Sequence, residues 1–323
     1  MKTYEFGKTS DGRSVQAYVL ENENGIRAEF LNYGCILRQL WVLKSDESYV
    51  NIVHGLDSVA DYEQDTCFYG AFIGRFANRI KDSRFSLNGK DYQLQPNDGP
   101  NHLHGPWGKT LFDAHPLDAK TLEEASKGVV FTYHSPDGED GFPGNVDVKV
   151  TYILDDQNVL HMDYEAVSDQ DTILNLTNHS YFQLGADQVL KVNADRFLEI
   201  DEQQIIPTGK ILQVENNPVM DLRTETNVEQ HFPALGYFDH CYILNKEDPD
   251  APDVCLRAPG RGITLEIRTS EPAIQIYSGN SAGIAMESQM YPCAPNFPEF
   301  PSCLVPAGET RYWTNSYRII AER

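Results

Sequence analysis

Two side chains in this sequence are suited to moving protons and sit where a strand would present them. One is His179, in the middle of DTILNLTNHSYFQL (Asp171–Leu184); the other is Glu287, in GIAMESQMYP (Gly283–Pro292). A glutamate is ionised at neutral pH and accepts a proton, whereas a histidine, with an ordinary pKa of ~6.5, can donate one. Read as a β-strand, the first run alternates with period two. Asn175, Thr177, His179, Tyr181 and Gln183 share one face, and Leu174, Leu176, Phe182 and Leu184 share the other, interrupted by Asn178 and Ser180. Buried polar groups need partners, so a row of them predicts a wall that meets a polar ligand. In the second run Ile284 and Met286 fall on one face, Ala285, Glu287 and Gln289 on the other. EPAIQIYSGN likewise opposes Ile274 and Ile276 to Gln275 and Tyr277. His179, Glu287 and Gln275 therefore all sit on non-core faces of otherwise apolar strands.

Three further polar islands accompany them: GRFANRI with Asn78 and Arg79, NHLHGPW with His102 and His104, and FDH with Asp239. The His-x-His pair has metal-type spacing but lacks a third ligand close by, so no metal is expected. Trp107 and Phe297 are candidates for stacking on a ring or for packing. The DGEDGFPG loop lacks the ligand spacing of a calcium loop and reads as a turn.

The elements that must carry these groups are strands. Val146 to Leu154, Leu160 to Ala166 and Ile263 to Ile267 alternate apolar with polar residues, and Asn88-Gly89 between SRFSL and KDYQL marks a hairpin. Helical patterns are confined to Asp57–Gln64 and Thr224–His231. Pro292–Pro306 reads as an ordered, extended segment wrapped on the surface. No βαβ alternation, glycine-rich phosphate loop or fixed-period repeat occurs. These features predict an all-β chain: one large antiparallel β-sandwich over residues 1–323, with a few short helices.

Bulk properties narrow the partners. Lys and Arg number 26 against 48 Asp and Glu, a net charge of −22, which repels nucleic acid and anionic membranes and disfavours phosphorylated substrates. The N-terminus has no signal-like apolar stretch and no apolar run is long enough to span a membrane. Six scattered cysteines (35, 67, 241, 255, 293 and 303) form no CxxC pair and read as free thiols. A cytoplasmic location is expected.

Taken in order, GRFANRI, LHG, SPDGEDGFPG, LTNHSYFQL, FDH, the Glu287 segment and PAGE near the C-terminus resemble the aldose 1-epimerase (galactose mutarotase) family over nearly the whole chain. The resemblance implies that His179 is the general acid and Glu287 the general base. It also implies that Asn78, Arg79, His104, Asp239 and Gln275 bind sugar hydroxyls, with Tyr181 lining the same strand face. The implied activity interconverts the α and β anomers of free aldohexoses such as galactose and glucose. Ring opening removes a proton from the anomeric hydroxyl and gives one to the ring oxygen, and reclosure on the other face returns both. It needs no cofactor, metal or covalent adduct. Sugar hydroxyls donate and accept; Arg79 supplies donors, Asp239 acceptors, Asn78 and Gln275 both. Three alternatives share these residues. Asp239 and Glu287 would be a glycosidase carboxylate pair, a hexose-phosphate epimerase would need a basic patch, and a sugar-binding or regulatory protein would use the scaffold without catalysis.

Overall fold

Alternation of buried and exposed residues along Val146–Leu154 and Val159–Ser168 makes these two strands an antiparallel pair, with Val146 opposite Ser168 and Leu154 opposite Leu160. They sit inside an eight-stranded sheet, and the C-terminal strand Thr310–Ala321 pairs with Val159–Ser168 on one side and Ile263–Thr269 on the other. The computed structural model describes residues 1–117, 127–248 and 251–322. A five-stranded sheet from the N-terminal residues and a six-stranded sheet complete the main architecture. Inward residues of all three meet in one core: Phe30 and Leu40 from the first, Tyr152, Tyr164 and Trp313 from the second, Ile274 and Met286 from the third. The smaller sheets thus cover one face of the larger, an all-β sandwich whose every pairing between strands is antiparallel among the described residues. Each fully buried large side chain contributes about 1.5–3 kcal/mol to holding the layers together.

Local signals act as their chemistry requires. Asn88 and Gly89 take φ of 52° and 77°, the left-handed pair that a two-residue hairpin needs, between Arg84–Leu87 and Lys90–Gln93. Helix Val59–Gln64 begins at Ser58, whose hydroxyl accepts the Asp61 N–H at 3.1 Å. The second predicted helix is shorter and later. Val228–His231 forms a 3-10 turn followed by Phe232–Leu235, while Thr226 exchanges backbone hydrogen bonds with Leu190. A sheet edge has recruited the residues that helix periodicity claimed. No helix among the described residues is long and apolar enough to cross a membrane.

Two expectations change. Asp171–Leu184 is not one strand but three two-residue strands, Thr172–Ile173, Thr177–Asn178 and Tyr181–Phe182, each paired in a different sheet. Residues 172 to 182 are buried on both faces, so period-two alternation no longer separates core from ligand wall. Pro292–Pro306 is ordered but turned inward. Ala294, Phe300 and Cys303 join Phe76, Ile80 and Cys241 in a second core, and one 3-10 turn, Ala294–Asn296, interrupts it. Its one ladder is the two-residue strand Leu304–Val305, paired with Thr172–Ile173, and its aromatic and small side chains pack with Phe76 and Ile80 of the GRFANRI segment.

Candidate active site

The broken run 171–184 brings the remote segments together. Asn175 donates to Ala77 O at 3.0 Å and accepts the Met290 N–H at 2.8 Å. One amide therefore ties GRFANRI to strand Ile284–Gln289. Asn178 donates to Gly70 O at 3.0 Å, and the His179 backbone is pinned from both sides by Ala71 O and the Gly70 N–H. His179 is thereby held on three peptide contacts. Across from it, Ala273–Tyr277 and Ile284–Gln289 pair with Gln275 opposite Glu287. Their alternate residues Ile274, Ile276 and Met286 enter the core, which turns Gln275 and Glu287 the other way. Nε2 of His179 lies 3.5 Å from Oε1 of Glu287.

The third component is a reciprocal contact between Asn78 and His104. Both adopt positive φ, 63° and 67°, a region uncommon outside glycine. The Asn78 N–H donates to His104 Nδ1 at 3.1 Å and the His104 N–H donates to Asn78 O at 3.1 Å. The two strained turns hold one another. Arg79 is fixed by Asp98, with Nε to Oδ2 at 2.6 Å, and its Nη1 lies 3.9 Å from Asp239 Oδ2. Gln275 Nε2 donates to Asp239 Oδ1 at 2.6 Å.

These groups enclose a cavity of about 190 Å³, below the roughly 300–1,000 Å³ of drug-sized ligand sites and suited to a smaller molecule. Asn78, Arg79, His104, His179, Tyr181, Asp239 and Glu287 all line it. Gln275 does not. It stands behind Asp239 and orients that carboxylate. Phe68 and Tyr277 supply the aromatic wall, with the Phe68 ring centred 4.7 Å from His104 and 6.1 Å from His179. Trp107 is not a stacking platform. It is fully buried, and its indole N–H donates to Glu139 at 3.0 Å. Phe297 packs on Phe300 in the second core. Of the polar row predicted on 171–184, only His179 and Tyr181 reach this cavity, because Asn175 is spent on backbone groups. His102 is buried outside the cavity lining, with Nδ1 2.8 Å from Gln95 O. Sequence reading missed Asp98, Phe68 and Tyr277. Only Tyr277 carried a signal, as the residue two beyond Gln275 on the same strand face.

Burial sets the electrostatics. It pushes the Glu287 carboxyl well above the usual range, with Asp239 adding to the effect and Arg79 opposing it. Burial lowers His179 to about 4 and His104 well below its ordinary value, helped by the neighbouring His179 and Arg79. Asp239 is raised by burial against the pull of Arg79. Oε2 of Glu287 and Nδ1 of His179 are buried without a protein partner, hydrogen-bonding capacity that a polar ligand would satisfy. His104, His179 and Glu287 bring ligand-type atoms within 4.8 Å of one another, the donor set of many catalytic zinc sites. The tautomer argues against that use. With Nδ1 accepting the Asn78 N–H, neutral His104 carries its proton on Nε2 and offers the cavity a donor rather than a lone pair.

The aldose 1-epimerase family model matches residues 16–318. Among curated relatives, the aldose 1-epimerase of Haemophilus influenzae is 36% identical over 318 residues, covering 90% of this chain and 91% of that protein. The galactose mutarotase of Sus scrofa is 34% identical, covering 94% of each. Among solved structures, galactose 1-epimerase from Lactobacillus acidophilus superposes with a TM-score of 0.87 at 26% identity, covering 99% of both chains. An aldose epimerase homologue from C. elegans reaches 0.86 at 27% identity, covering 95% of this chain and 99% of that one.

Proposed function

We propose that this chain, which belongs to the aldose 1-epimerase family, is an isomerase that interconverts the α and β anomers of free aldohexoses such as galactose and glucose. The observation that carries the catalytic assignment is the 3.5 Å approach of His179 to Glu287 inside a small cavity, each with a buried, unpartnered atom. The decisive experiment is polarimetry on fresh α-galactose and α-glucose, in which the protein should hasten the drift of optical rotation.

The mechanism follows from counting protons. Glu287 raised and His179 lowered leave the pair sharing one proton over a wide pH range. Carboxylate with imidazolium and carboxyl with imidazole are two forms of that state, related by one proton shift. A pyranose lying against both groups completes the relay. Glu287 takes the anomeric hydroxyl proton as the C1–O5 bond breaks, and His179 delivers one to O5. Rotation about C1–C2 and the reverse transfers close the other anomer. His104 Nε2–H donates to a sugar oxygen, and Arg79 and Asp239 hold neighbouring hydroxyls. Phe68 and Tyr277 offer apolar faces to ring C–H groups.

A pH profile tests this count. As pH falls through about 4 the pair gains a second proton and loses its base; as pH rises through the elevated Glu287 value it loses its acid. With ordinary values the one-proton form would vanish above about 6.5, and kcat/KM would fall about tenfold per pH unit from there. The raised Glu287 predicts instead a plateau in kcat/KM continuing above pH 6.5. A steady decline beginning at that pH would refute the shared-proton assignment.

Binding residues act on affinity. Asp239→Ala removes the acceptor of Gln275 and one of the two carboxylates beside Arg79, and Arg79→Ala removes the donor to Asp98 and the cation beside Asp239. Each should raise KM for galactose by about 1–3 kcal/mol in equivalent terms, roughly 5- to 150-fold. Unchanged KM in both variants would remove these groups from the binding set. A phosphosugar is a poor fit, because Arg79 is already engaged by two carboxylates and the cleft beyond Asp239 presents Glu199 and Glu202. The match over residues 16–318 supports reading the chain as one catalytic unit, and six unbridged thiols favour the cytoplasm.

A further inference from the structure

We propose that Cys67 is a covalent modification site in the wall of the catalytic cavity. It would take small uncharged disulfides and related thiol-reactive compounds, and its occupation would close the cavity to sugar. Cys67 lines the cavity beside Phe68 and is partly exposed. Its position is fixed. Just beyond helix Val59–Gln64, Asp65 Oδ1 accepts the Cys67 N–H at 2.7 Å and Oδ2 accepts the Tyr69 N–H at 2.9 Å. The next ring, Phe68, rests on both His104 and His179. Any group added to the sulfur therefore enters a space of about 190 Å³ already bounded by the catalytic histidine and the aromatic wall.

A second observation, independent of the cysteine, points to a ligand in this cavity. Glu287 Oε2 and His179 Nδ1, on side chains that are 2% and 5% exposed, have no partner from the protein. None of the other thiols lines this cavity. Cys35, Cys241, Cys293 and Cys303 are buried. Cys255 lies on Val254–Ala258 in the eight-stranded sheet. The preference for uncharged reagents follows from the acidic groups along the cleft, Asp239 with Glu199 and Glu202 beyond it, and from a net charge of −22.

The chemistry is thiol–disulfide exchange. The Cys67 thiolate attacks one sulfur of the reagent, a new S–S bond forms, and the old sulfur–sulfur bond breaks to release a thiolate, or a sulfinate from a thiosulfonate. The reagent is the oxidant, and an added thiol reverses the exchange. Loss of activity on modification rests on the proposed reaction, whereas labelling and its protection by sugar do not.

The test treats the whole chain with methyl methanethiosulfonate, which is neutral, and with its anionic sulfonatoethyl analogue. Labelled residues are read by mass spectrometry and anomer interconversion by polarimetry. The neutral reagent should label Cys67 faster than the anionic one, and galactose should slow the labelling. kcat/KM should fall in step with Cys67 occupancy by about tenfold or more, as expected for an obstructed substrate pose, and dithiothreitol should restore it. In Cys67→Ala the same treatment should leave that variant's own rate unchanged. Full activity with Cys67 modified, equal inactivation of Cys67→Ala, or labelling of Cys67 that galactose does not slow would each overturn the proposal. An untreated protein without mutarotase activity would instead sink the reaction assignment, and galactose protection would still decide the site.

Discussion

Glu287→Gln is expected to slow anomer interconversion by about 10²–10⁴-fold and, at the same time, to make the protein more stable. The loss follows from removing one end of a shared-proton pair. Glutamine keeps the shape and some hydrogen bonding but neither releases nor accepts the proton. His179→Asn should do the same from the other end, and the double variant should be little worse than either single one, because residues that act as a unit are not additive. The gain in stability follows from the same burial. In the unfolded chain a glutamate ionises near pH 4.3, while the folded protein holds Glu287 protonated to a much higher pH. The unfolded state therefore binds fewer protons above that point, and stability declines as pH rises between the two values. Glutamine has no such dependence. The melting temperature of the variant should match or exceed wild type near pH 4 and exceed it increasingly toward pH 8, by a few degrees for each 1–2 kcal/mol. Polarimetry and calorimetry across pH measure both effects. A variant that retained the full rate would remove Glu287 from the chemistry, and a melting temperature that fell with the carboxylate's removal would contradict its desolvated state.

The sandwich was legible because its signals are local. Alternation along Val146–Leu154, the Asn88-Gly89 turn and the Ser58 cap each depend on a few neighbouring residues and on sterics that context does not overturn. Part of the candidate site was legible because Glu287 and Gln275 interrupt apolar strands, and their register places them opposite one another, with Glu287 lining the cavity. Features that depend on distant partners were not legible. Nothing near Asp98 marks it as the anchor of Arg79, since the two meet only when the 79–80 and 102–103 strands pair. The run 171–184 misled because a polar residue that stitches backbone and one that faces a ligand look alike in sequence. Asn175 and His179 occupy the same predicted face, and the backbone partners Asn175 finds in Ala77 and Met290 tell them apart.

Arg75, within GRFANRI, carries the argument from fold to site most directly, and its replacement should have the largest effect on stability. The side chain is fully buried. Its Nε donates to Ser135 Oγ at 2.7 Å, Nη1 to Pro143 O at 3.0 Å, and Nη2 to Ser135 O at 3.0 Å and Pro136 O at 2.8 Å. The Ser135 hydroxyl in turn donates to Glu139, which also accepts from Tyr133 and Trp107. One guanidinium thus clamps both ends of the SPDGEDGFPG loop against the segment that three residues later presents Asn78 and Arg79. Arg75→Met would take a donor from three carbonyls, of which Pro136 O keeps the Glu139 N–H, and remove the positive charge that interacts with Glu139, a loss of about 3–5 kcal/mol by comparison with other broken buried charge networks. Arg75→Lys should be intermediate, because a single ammonium cannot span four acceptors in a plane. Urea unfolding should show the order wild type, Lys, Met. In the Lys variant, KM for galactose should rise more than kcat falls, because the loosened segment holds binding groups while His179 and Glu287 stand on other elements. An unfolding midpoint for Arg75→Met equal to wild type would mean that the loop is held by something other than this clamp.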